Sequence, residues 1–237
     1  MLNSGIDIAH CGIGIMEITL NNVGKRFNRE WIFRHCNYQF HQGKSYAITG
    51  SNGSGKSTLL QVIAGSLTHN EGSIECSDSG YLIQDQSSNQ QPASSIKDQS
   101  SITNLYQQIS IAAPYLELIE EMTAKEMLEF HAQFKPFIEA VTIKEILKIV
   151  GLENAINKQI RYYSSGMKQR LKLAQAFFCK SPVLLLDEPT TNLDSDGITL
   201  YQQLIKNHSS NKLLIISSND KQEYDFCEEV IAISNYK

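Results

Sequence analysis

The sequence predicts an α/β protein built on a mixed, mostly parallel β-sheet. Three observations support this fold class. Short apolar strands alternate with helices along the chain, a Gly-rich loop leads from a strand directly into a helix, and one fully apolar strand ends in two carboxylates. Parallel strands need a crossover of a dozen or more residues, usually a helix, so this alternation favours parallel pairing.

The composition excludes several classes of protein. The 237 residues carry 21 basic and 25 acidic side chains, a net charge of −4, and 41% of them are hydrophobic. That apolar fraction is typical of a folded domain with a sizeable core. The acidic balance argues against gripping nucleic acid through its phosphates, so we predict no direct nucleic-acid partner. Because no apolar run approaches the ~20 residues that span a bilayer, we expect no membrane crossing.

The N-terminal residues 1–15 are predicted to be an extension outside the domain. They have no basic segment followed by an apolar one, so they do not resemble a signal peptide. A clean strand pattern begins at Met16, which makes Met16 a candidate translation start; the intact mass of the native protein would test this hypothesis. Residues 16–237 are expected to form one domain.

The first half of that domain is predicted to be rich in strands. Alternating or apolar runs predict strands at 17–20, 36–40 and 45–49, and a helix is predicted from 56 to about 64. Residues 76–104 hold many Ser, Gln, Asn and Asp side chains with little periodicity. They predict a long polar loop or insertion.

The second half is predicted to alternate helices with strands. Residues 115–160 show helical spacing, clearest over 124–134 and 142–150, with Gly151 as a plausible C-cap. The segment at about 115–165 is therefore predicted to be an inserted helical subdomain. The later predictions are a helix at 165–178, a strand at 183–186, a helix at 198–206, a strand at 212–217, a helix at 221–229 and a strand at 230–234.

The most informative segment is Gly50-Ser51-Asn52-Gly53-Ser54-Gly55-Lys56-Ser57-Thr58. It fits the phosphate-loop (Walker A) pattern G-x-x-x-x-G-K-[ST], and it lies between a predicted strand and a predicted helix, as that pattern requires. The glycines let backbone N–H groups turn toward a phosphate, and the helix N-terminus adds its positive end. Lys56 can reach the β- and γ-phosphates, and the Ser57 hydroxyl can bind Mg²⁺. Nucleotide binding is the prediction.

A pair of carboxylates fits the same chemistry. The apolar run 183–186 delivers Asp187 and Glu188 to the carboxyl end of a buried strand, where ligands gather in open α/β sheets. Asp187 would hold Mg²⁺ through its water shell, and Glu188 would polarise the water that attacks the γ-phosphate. A solvated acidic turn before Pro189 is the alternative interpretation.

With these motifs in place, residues 16–237 resemble the nucleotide-binding domain of the ABC ATPase family. The decisive segment is Tyr163-Ser164-Ser165-Gly166-Met167-Lys168-Gln169-Arg170, which is similar to the ABC signature L-S-G-G-Q-x-Q-R. Other phosphate-loop ATPases lack this element. The resemblance implies a phosphate-loop NTPase fold of the ABC type, with an antiparallel N-terminal β part and an inserted helical subdomain, and an ATPase that uses ATP and Mg²⁺.

The resemblance also implies a site shared between two subunits. Ser164, Ser165 and Gly166 of one subunit would contact the γ-phosphate bound by Lys56 of another, in a head-to-tail homodimer around two ATP molecules. Asp194 would belong to the D-loop that links the two sites. Phe27 lies where the family stacks an aromatic ring on adenine, although a core phenylalanine is the alternative there.

Two positions depart from the family pattern. Asn219 stands where the family has its switch histidine; an asparagine can donate a hydrogen bond but cannot carry a proton. The expected Q-loop glutamine falls at Pro114 or Tyr115, and neither is a glutamine. Gln84 lies in a segment similar to the Q-loop motif, but it is far upstream of the expected position. We therefore interpret Gln84 as a residue of the polar insertion. We therefore expect nucleotide binding with slow basal hydrolysis, and a regulator that binds ATP without hydrolysing it is a further hypothesis that Glu188 disfavours.

The signature variant resembles that of bacterial exporter ATPases such as the haem exporter of cytochrome c maturation. By that resemblance the chain would be a cytoplasmic subunit, held peripherally at the inner face of the membrane by a separate multi-spanning permease. Residues 114–123 would form part of the groove that accepts the permease. The alternative is a soluble ABC ATPase in an assembly role, such as iron–sulfur cluster assembly.

Overall fold

The computed structural model describes residues 16–78 and 108–237 of the chain. Within these ranges, three short 3₁₀ helices lie at Glu153–Ala155, Ile160–Tyr162 and Ile233–Tyr236. The strands and α-helices follow in this order: β1 (Met16–Phe27), β2 (Glu30–His41), β3 (Ser45–Thr49), α1 (Lys56–Ile63), β4 (Glu71–Asp78), β5 (Ile109–Ala112), α2 (Ala124–Phe134), α3 (Ile143–Ile149), α4 (Ser165–Phe178), β6 (Val183–Asp187), α5 (Ser195–His208), β7 (Leu213–Ser217), α6 (Lys221–Tyr224) and β8 (Glu229–Ala232).

The strands form two sheets. An antiparallel sheet has the order β2-β1-β4, and a parallel sheet has the order β5-β6-β7-β3-β8. Non-consecutive strands are neighbours in the parallel sheet because helices carry the chain across its faces. The predicted fold class is therefore confirmed: a mostly parallel sheet with an antiparallel N-terminal part. The carboxyl ends of β3, β6 and β7 meet at one edge of the parallel sheet.

The central strands are buried on both faces, which explains their unbroken apolar sequences. Side chains alternate across a strand, so Val183 and Leu185 of β6 pack into a core shared with α1 and the antiparallel sheet. Leu184 and Leu186 point the other way, into a core shared with α4, α5 and the helices that follow β5. The parallel sheet is therefore the middle layer of the fold, and its packing fixes the position of Asp187 at the end of β6.

The helices that follow β5 begin at strong N-caps. The Thr123 hydroxyl accepts the Glu126 N–H, and the Glu126 carboxylate accepts the Thr123 N–H at 2.8 Å. Thr142 and Glu145 repeat this capping box at the start of α3. Each box satisfies two backbone donors that a helix start would otherwise leave free. These signals explain why α2 begins where the sequence predicts.

Some elements differ from the sequence predictions. Strands β4 and β5 were not predicted, and β4 includes residues 76–78, which the sequence assigns to a polar insertion. The predicted helix at 221–229 is wrong beyond Tyr224, because Glu229 pairs with β3 as the first residue of β8. Strands β1 and β2 are longer than predicted, since register shifts between them interrupt their alternation without ending their pairing.

Several predictions concern residues outside the described ranges, namely the extension 1–15, Gln84 and most of the polar insertion. Within residues 16–78 and 108–237, no helix has both the length and the apolar character needed to cross a membrane.

Candidate nucleotide-binding site

The phosphate loop lies where β3 ends and α1 begins, and its glycines have conformations that other residues avoid. The φ angles of Gly50, Gly53 and Gly55 are all positive, at 152°, 75° and 104°. A Cβ atom on Gly55 would lie 2.4 Å from Cγ2 of Ile32, so the β2 side chain presses directly on the loop. The loop is thus held against β2 in a conformation that glycine adopts at little cost.

Lys56 is folded across the loop that it follows. Its side-chain ammonium donates to the carbonyl of Gly50 at 2.9 Å and to the carbonyl of Ser51 at 3.4 Å, and the residue is only 5% exposed. A buried ammonium held inside a Gly-rich loop is well placed to bind a phosphate, because little water competes for it. The predicted phosphate-binding lysine therefore already lies within the loop.

Three buried polar atoms at this edge of the sheet have no hydrogen-bond partner among the described residues. They are the hydroxyl oxygens of Ser54 and Ser217 and the Oδ1 atom of Asp187. Asp187 and Ser217 are register partners at the ends of β6 and β7. Buried polar atoms are usually paired, so unpaired ones grouped at a strand edge are the expected mark of a ligand site.

The donor set fits Mg²⁺. The Oδ1 atom of Asp187 is buried and unpaired within the described residues, and the residue is 2% exposed. Ser57 lies in the first turn of α1. A carboxylate and a hydroxyl oxygen are ligands that Mg²⁺ takes together with water and phosphate oxygens. Asp187 and Ser57 are therefore the residues that would hold Mg²⁺.

A cleft of about 200 Å³ opens beside the loop, and it brings Glu188 to the phosphate loop. Its lining comprises Ile32, Glu188 and the run from Asn52 to Thr58. Glu188 has a φ of 41°, a strained value for a residue with a side chain. Its N–H donates to the carbonyl of Ser217 at 2.9 Å, which ties the residue to the end of β7. The structure thus places the predicted general base beside the predicted phosphate site.

Asn219, at the switch-histidine position, contacts the phosphate loop directly. Its Nδ2 atom donates to Oδ1 of Asn52 at 2.5 Å. The preceding N–H of Ser218 donates to the carbonyl of Ile48 at 3.1 Å, which holds the segment against β3. The side-chain amide is therefore close enough to the loop to meet a bound phosphate.

Phe27 is not among the residues that line the cleft. It is the last residue of β1 and is 47% exposed, so it lies outside the hydrophobic core. Its strand is paired with β2, whose Ile32 does line the cleft.

The signature residues lie at the start of α4. The Ser164 hydroxyl accepts the Met167 N–H at 3.2 Å and so caps the helix, while Ser165 is exposed. Gly166 is packed closely, because a Cβ atom there would lie 3.0 Å from the carbonyl oxygen of Asn192. The residues predicted to meet a second nucleotide thus form an exposed helix N-terminus.

Helix α4 is bonded to segment 189–194 by two residues to which sequence reasoning assigned no role. The buried Gln169 donates from Nε2 to the carbonyl of Pro189 at 2.9 Å. Arg170 donates to Oδ1 of Asp194 at 2.9 Å, and the same oxygen accepts the Gly197 N–H at 2.8 Å. The Gly197 N–H and then the Arg170 guanidinium hold the pKa of Asp194 below its usual value. Both residues belong to the signature motif, so the motif itself was the available signal.

Helix α4 is also bonded to the loop after β5, where the Q-loop glutamine was expected. Lys172 donates to the carbonyls of Pro114 at 2.8 Å and Ala113 at 3.3 Å. Burial raises the pKa of Tyr115, Gln61 of α1 interacts with its hydroxyl and opposes that shift, and the negative charge of Asp187 adds to it. Tyr115, at the position where an amide was expected, therefore interacts electrostatically with the Asp187 carboxylate.

Glu223 connects the segment after β7 to segment 189–194. Its carboxylate accepts the Thr190 N–H at 2.7 Å and also the Thr190 hydroxyl. Burial raises the pKa of Glu223, and its hydrogen bonds with Ser218 and Thr190 oppose that shift. The sequence motif around Asn219 included Glu223 but indicated no role for it, because its partner lies 33 residues away along the chain.

Comparison with known proteins agrees with this geometry. The model of the family described as "ABC transporter" matches residues 33–191, more than half of the chain. The chain belongs to this family. Two curated relatives are similar over nearly their whole length. YybJ of Bacillus subtilis, an ABC transporter ATP-binding protein, is 29% identical over 87% of each chain. HrtA of Staphylococcus aureus, an ATP-binding protein named for hemin import, is 26% identical over 94% of this chain and 97% of its own.

Solved structures of ABC cassettes have the same fold. The dimeric bacterial cassette MJ0796 is 26% identical, with a TM-score of 0.72 over 91% of this chain and 94% of its own. A second dimeric MJ0796 structure, at 25% identity, is described as a post-hydrolysis state bound to ADP and phosphate. The predicted family and the predicted ATPase activity are therefore confirmed: this chain is an ABC ATPase of a transporter and binds ATP.

Proposed function

We propose that two copies of this chain close head to tail around two ATP molecules and drive a separate membrane permease. The observation that supports this proposal is the lining of the phosphate-loop cleft. It contains the phosphate loop and Glu188, but among the described residues it contains none of Ser164, Ser165 and Gly166. A nucleotide held by one copy would therefore need the signature of another copy to surround its γ-phosphate.

The chemistry within one site follows from the residues that surround it. Loop N–H groups and the Lys56 ammonium bind the phosphates. Ser57 and Asp187 would hold Mg²⁺, which would supply positive charge to the phosphate oxygens. The oxygen of the attacking water bonds to the γ-phosphorus, and Glu188 accepts a proton from that water. The bond to the bridging oxygen breaks, and ADP and phosphate leave. The exposed N–H groups at the start of α4 of the other copy stabilise the charge on the γ-phosphate.

Asn219 takes the place of a histidine in this scheme and is expected to slow basal hydrolysis. Its amide can donate to a γ-phosphate oxygen, but it has no charge to add. In the structure one N–H of the amide donates to Asn52, which leaves the second N–H to donate to a phosphate oxygen. Nucleotide binding, which depends on Lys56 and the loop N–H groups, would be preserved.

The surface beside the Q-loop position is the proposed docking site for the permease. An open cleft of about 340 Å³ lies there. Its lining comprises acidic side chains together with Pro114, Leu116, Leu118, Lys168 and Lys172. Docking would hold the chain at the cytoplasmic face of the membrane. We propose export as the direction of transport, on the resemblance of the signature segment.

Complementation between two inactive variants tests the head-to-tail arrangement. A Lys56→Ala chain keeps its signature, and a Ser164→Arg chain keeps its phosphate loop. We expect each to be inactive alone and the mixture to recover ATPase activity, because each mixed dimer contains one complete site. As the control, a chain with both substitutions mixed with the wild type forms mixed dimers with no complete site and adds no activity. A mixture of the two single variants that stays inactive would contradict the proposal.

The permease is tested by capturing the tagged chain from gently solubilised native membranes. We expect a multi-spanning protein in stoichiometric amount. A soluble partner, with no membrane association, would instead favour the assembly-ATPase alternative. Once the permease is known, inverted membrane vesicles supplied with external ATP give the direction: accumulation inside the vesicles indicates export, and loss from preloaded vesicles indicates import.

A further inference from the structure

The turn between β1 and β2 carries a cluster of aromatic rings and cations beside the phosphate-loop cleft. Ile32 of β2 lines that cleft, and its methyl group lies against the position where Gly55 would carry a Cβ. Lys25 is paired with Phe33, and Phe27 is paired with Glu30. Because paired strands lie about 4.8 Å apart, the end of β1 is one strand away from the side chain that touches the loop.

Trp31 is already covered by cations from its own sheet. The guanidinium of Arg34 lies 4.3 Å and that of Arg26 lies 5.5 Å from the ring centroid. Arg34 is in turn fixed by two hydrogen bonds to Glu71, at 2.8 and 2.9 Å. Gly24 packs against the same ring, at 3.1 Å for a Cβ placed there. This aromatic side chain is therefore used inside the sheet.

Phe27 differs, because its ring meets a cation that is buried while the ring itself is exposed. The Lys25 ammonium lies over the ring, 5.0 Å from its centroid. Lys25 is only 8% exposed, and its ammonium donates to the carbonyl of Thr68 at 2.7 Å. A desolvated cation over an aromatic face stabilises the contact more than a cation at an exposed site does. The ring is thus held by its contact with Lys25, and it still has surface open to solvent.

We propose that Lys25 is a positioning residue for the base of the bound nucleotide. It holds the Phe27 ring by a cation–π contact so that the exposed part of the ring stacks on a purine. The cation draws ring π-electrons toward itself, which makes the rest of the ring a better partner for an electron-rich base. The inference rests on the proposed binding of the nucleotide phosphates by the phosphate loop, and it concerns only the base.

The test separates the base from the phosphates by using two ligands. Mg²⁺–ATP carries both, and inorganic tripolyphosphate with Mg²⁺ carries only the phosphates. Affinities are measured by calorimetry on the full chain, with Trp31 fluorescence as a second readout. For Lys25→Met, which keeps the aliphatic stem, we expect ATP affinity to fall by roughly 5–10-fold, with tripolyphosphate affinity unchanged.

The remaining variants show whether Lys25 acts through Phe27. We expect Phe27→Leu to weaken ATP binding by about 10-fold or more, Phe27→Tyr to retain it, and the Lys25→Met/Phe27→Leu double variant to equal Phe27→Leu. Lys25→Gln keeps a donor for the Thr68 carbonyl but has no charge, so it should behave as Lys25→Met does. It also replaces Lys25→Met if that chain fails to fold. Lys144→Met removes an exposed lysine of α3 and serves as the matched control.

Each result supports or overturns the proposal. If the Lys25 variants weaken ATP and tripolyphosphate equally, Lys25 acts on phosphate charge, and the inference is wrong while the proposed function stands. Unchanged ATP affinity in those variants, or a double variant weaker than Phe27→Leu, also overturns it. If the wild-type chain binds neither ligand, the proposed function and this inference fail together.

Discussion

The two regions predicted to enclose a nucleotide differ in whether their buried polar groups have hydrogen-bond partners. In the phosphate-loop half, formed by residues 50–58 with the ends of β6 and β7, the oxygens of Ser54, Asp187 and Ser217 are buried without partners among the described residues. In the signature half, formed by α4 and segment 189–194, Gln169 and Arg170 are bonded to the neighbouring segment. The phosphate-loop half therefore has buried oxygens that can still accept hydrogen bonds, whereas Gln169 and Arg170 in the signature half already have partners within the protein.

This difference suggests a division of labour. Unpaired buried groups cost stability that a ligand can return, so the phosphate-loop half should bind nucleotide by itself. The signature half is stiffened by its own hydrogen bonds and presents the start of α4 in one orientation, which suits a surface that closes on a nucleotide already bound elsewhere. Substitutions in the first half should therefore change nucleotide affinity, and those in the second should change dimer closure.

The largest effect is expected for Asp187→Asn. Removing the carboxylate should lower Mg²⁺-dependent ATP affinity by about 10–100-fold. The same change should raise the free energy of unfolding of the ligand-free chain by about 1 kcal/mol, because the buried side chain, whose Oδ1 atom has no partner among the described residues, then carries no charge. Calorimetric titration and urea unfolding measure the two quantities. Asp196→Asn, on the exposed face of α5, is the control. A loss of stability in Asp187→Asn would contradict the expected difference between the phosphate-loop half and the signature half.

A second test compares two glycines within the phosphate loop. Gly55→Ala is expected to destabilise the chain by about 2–5 kcal/mol, because a positive φ is combined with a 2.4 Å approach to Ile32. Gly53→Ala has a positive φ but no neighbour within 4 Å, so it should cost only about 1 kcal/mol. Urea unfolding of both variants measures the difference. Equal costs would mean that β2 does not press on the loop.

In the signature half, Gln169→Leu removes the partner of a buried carbonyl. An unpaired carbonyl of Pro189 should lower the free energy of unfolding by about 1–3 kcal/mol. Nucleotide affinity should stay unchanged, because no signature residue lines the cleft within the described ranges. In a Glu188→Gln background, which prevents hydrolysis, light scattering should show weaker ATP-dependent dimerisation. Gln202→Leu on exposed α5 is the matched control, and a loss of nucleotide affinity in Gln169→Leu would break the proposed division.

The smallest effect is expected from the pH dependence of Glu223. Its pKa is raised by burial, so the folded state holds this proton more tightly than the unfolded state does. The resulting stabilisation is complete below the unfolded pKa, near 4.5, and is lost as the pH rises through the folded pKa. Glu223→Gln cannot titrate, so its Tm should gain on that of the wild type as the pH rises above 4.5. Thermal melts from pH 4 to pH 8 measure this gain, and parallel profiles would show that Glu223 is not perturbed by burial.

Sequence reasoning was most accurate where local signals are strong. The bounds of α2 and α4 match the predictions, and their first residues are fixed because Thr123 and Ser164 cap the helix starts with their own side chains. It missed β5, whose four residues pair, within the described ranges, with β6 alone, a strand that lies about 70 residues later in the chain. It overextended α6 because the apolar spacing that predicts a helix does not reveal that Glu229 and the residues after it pair with β3.

The sequence alone determined the family, the phosphate loop, the two carboxylates at the end of β6 and the start of α4. These are short motifs whose chemistry needs particular residues at fixed spacing, so they can be recognised without knowledge of the packing. The tertiary structure decided which polar groups are satisfied. Lys25 lies against Phe27 and is held by the Thr68 carbonyl, and Gln169 bonds Pro189, because packing places residues that are distant in sequence side by side. Burial and pairing depend on every neighbour at once, and spacing along the chain does not contain that information.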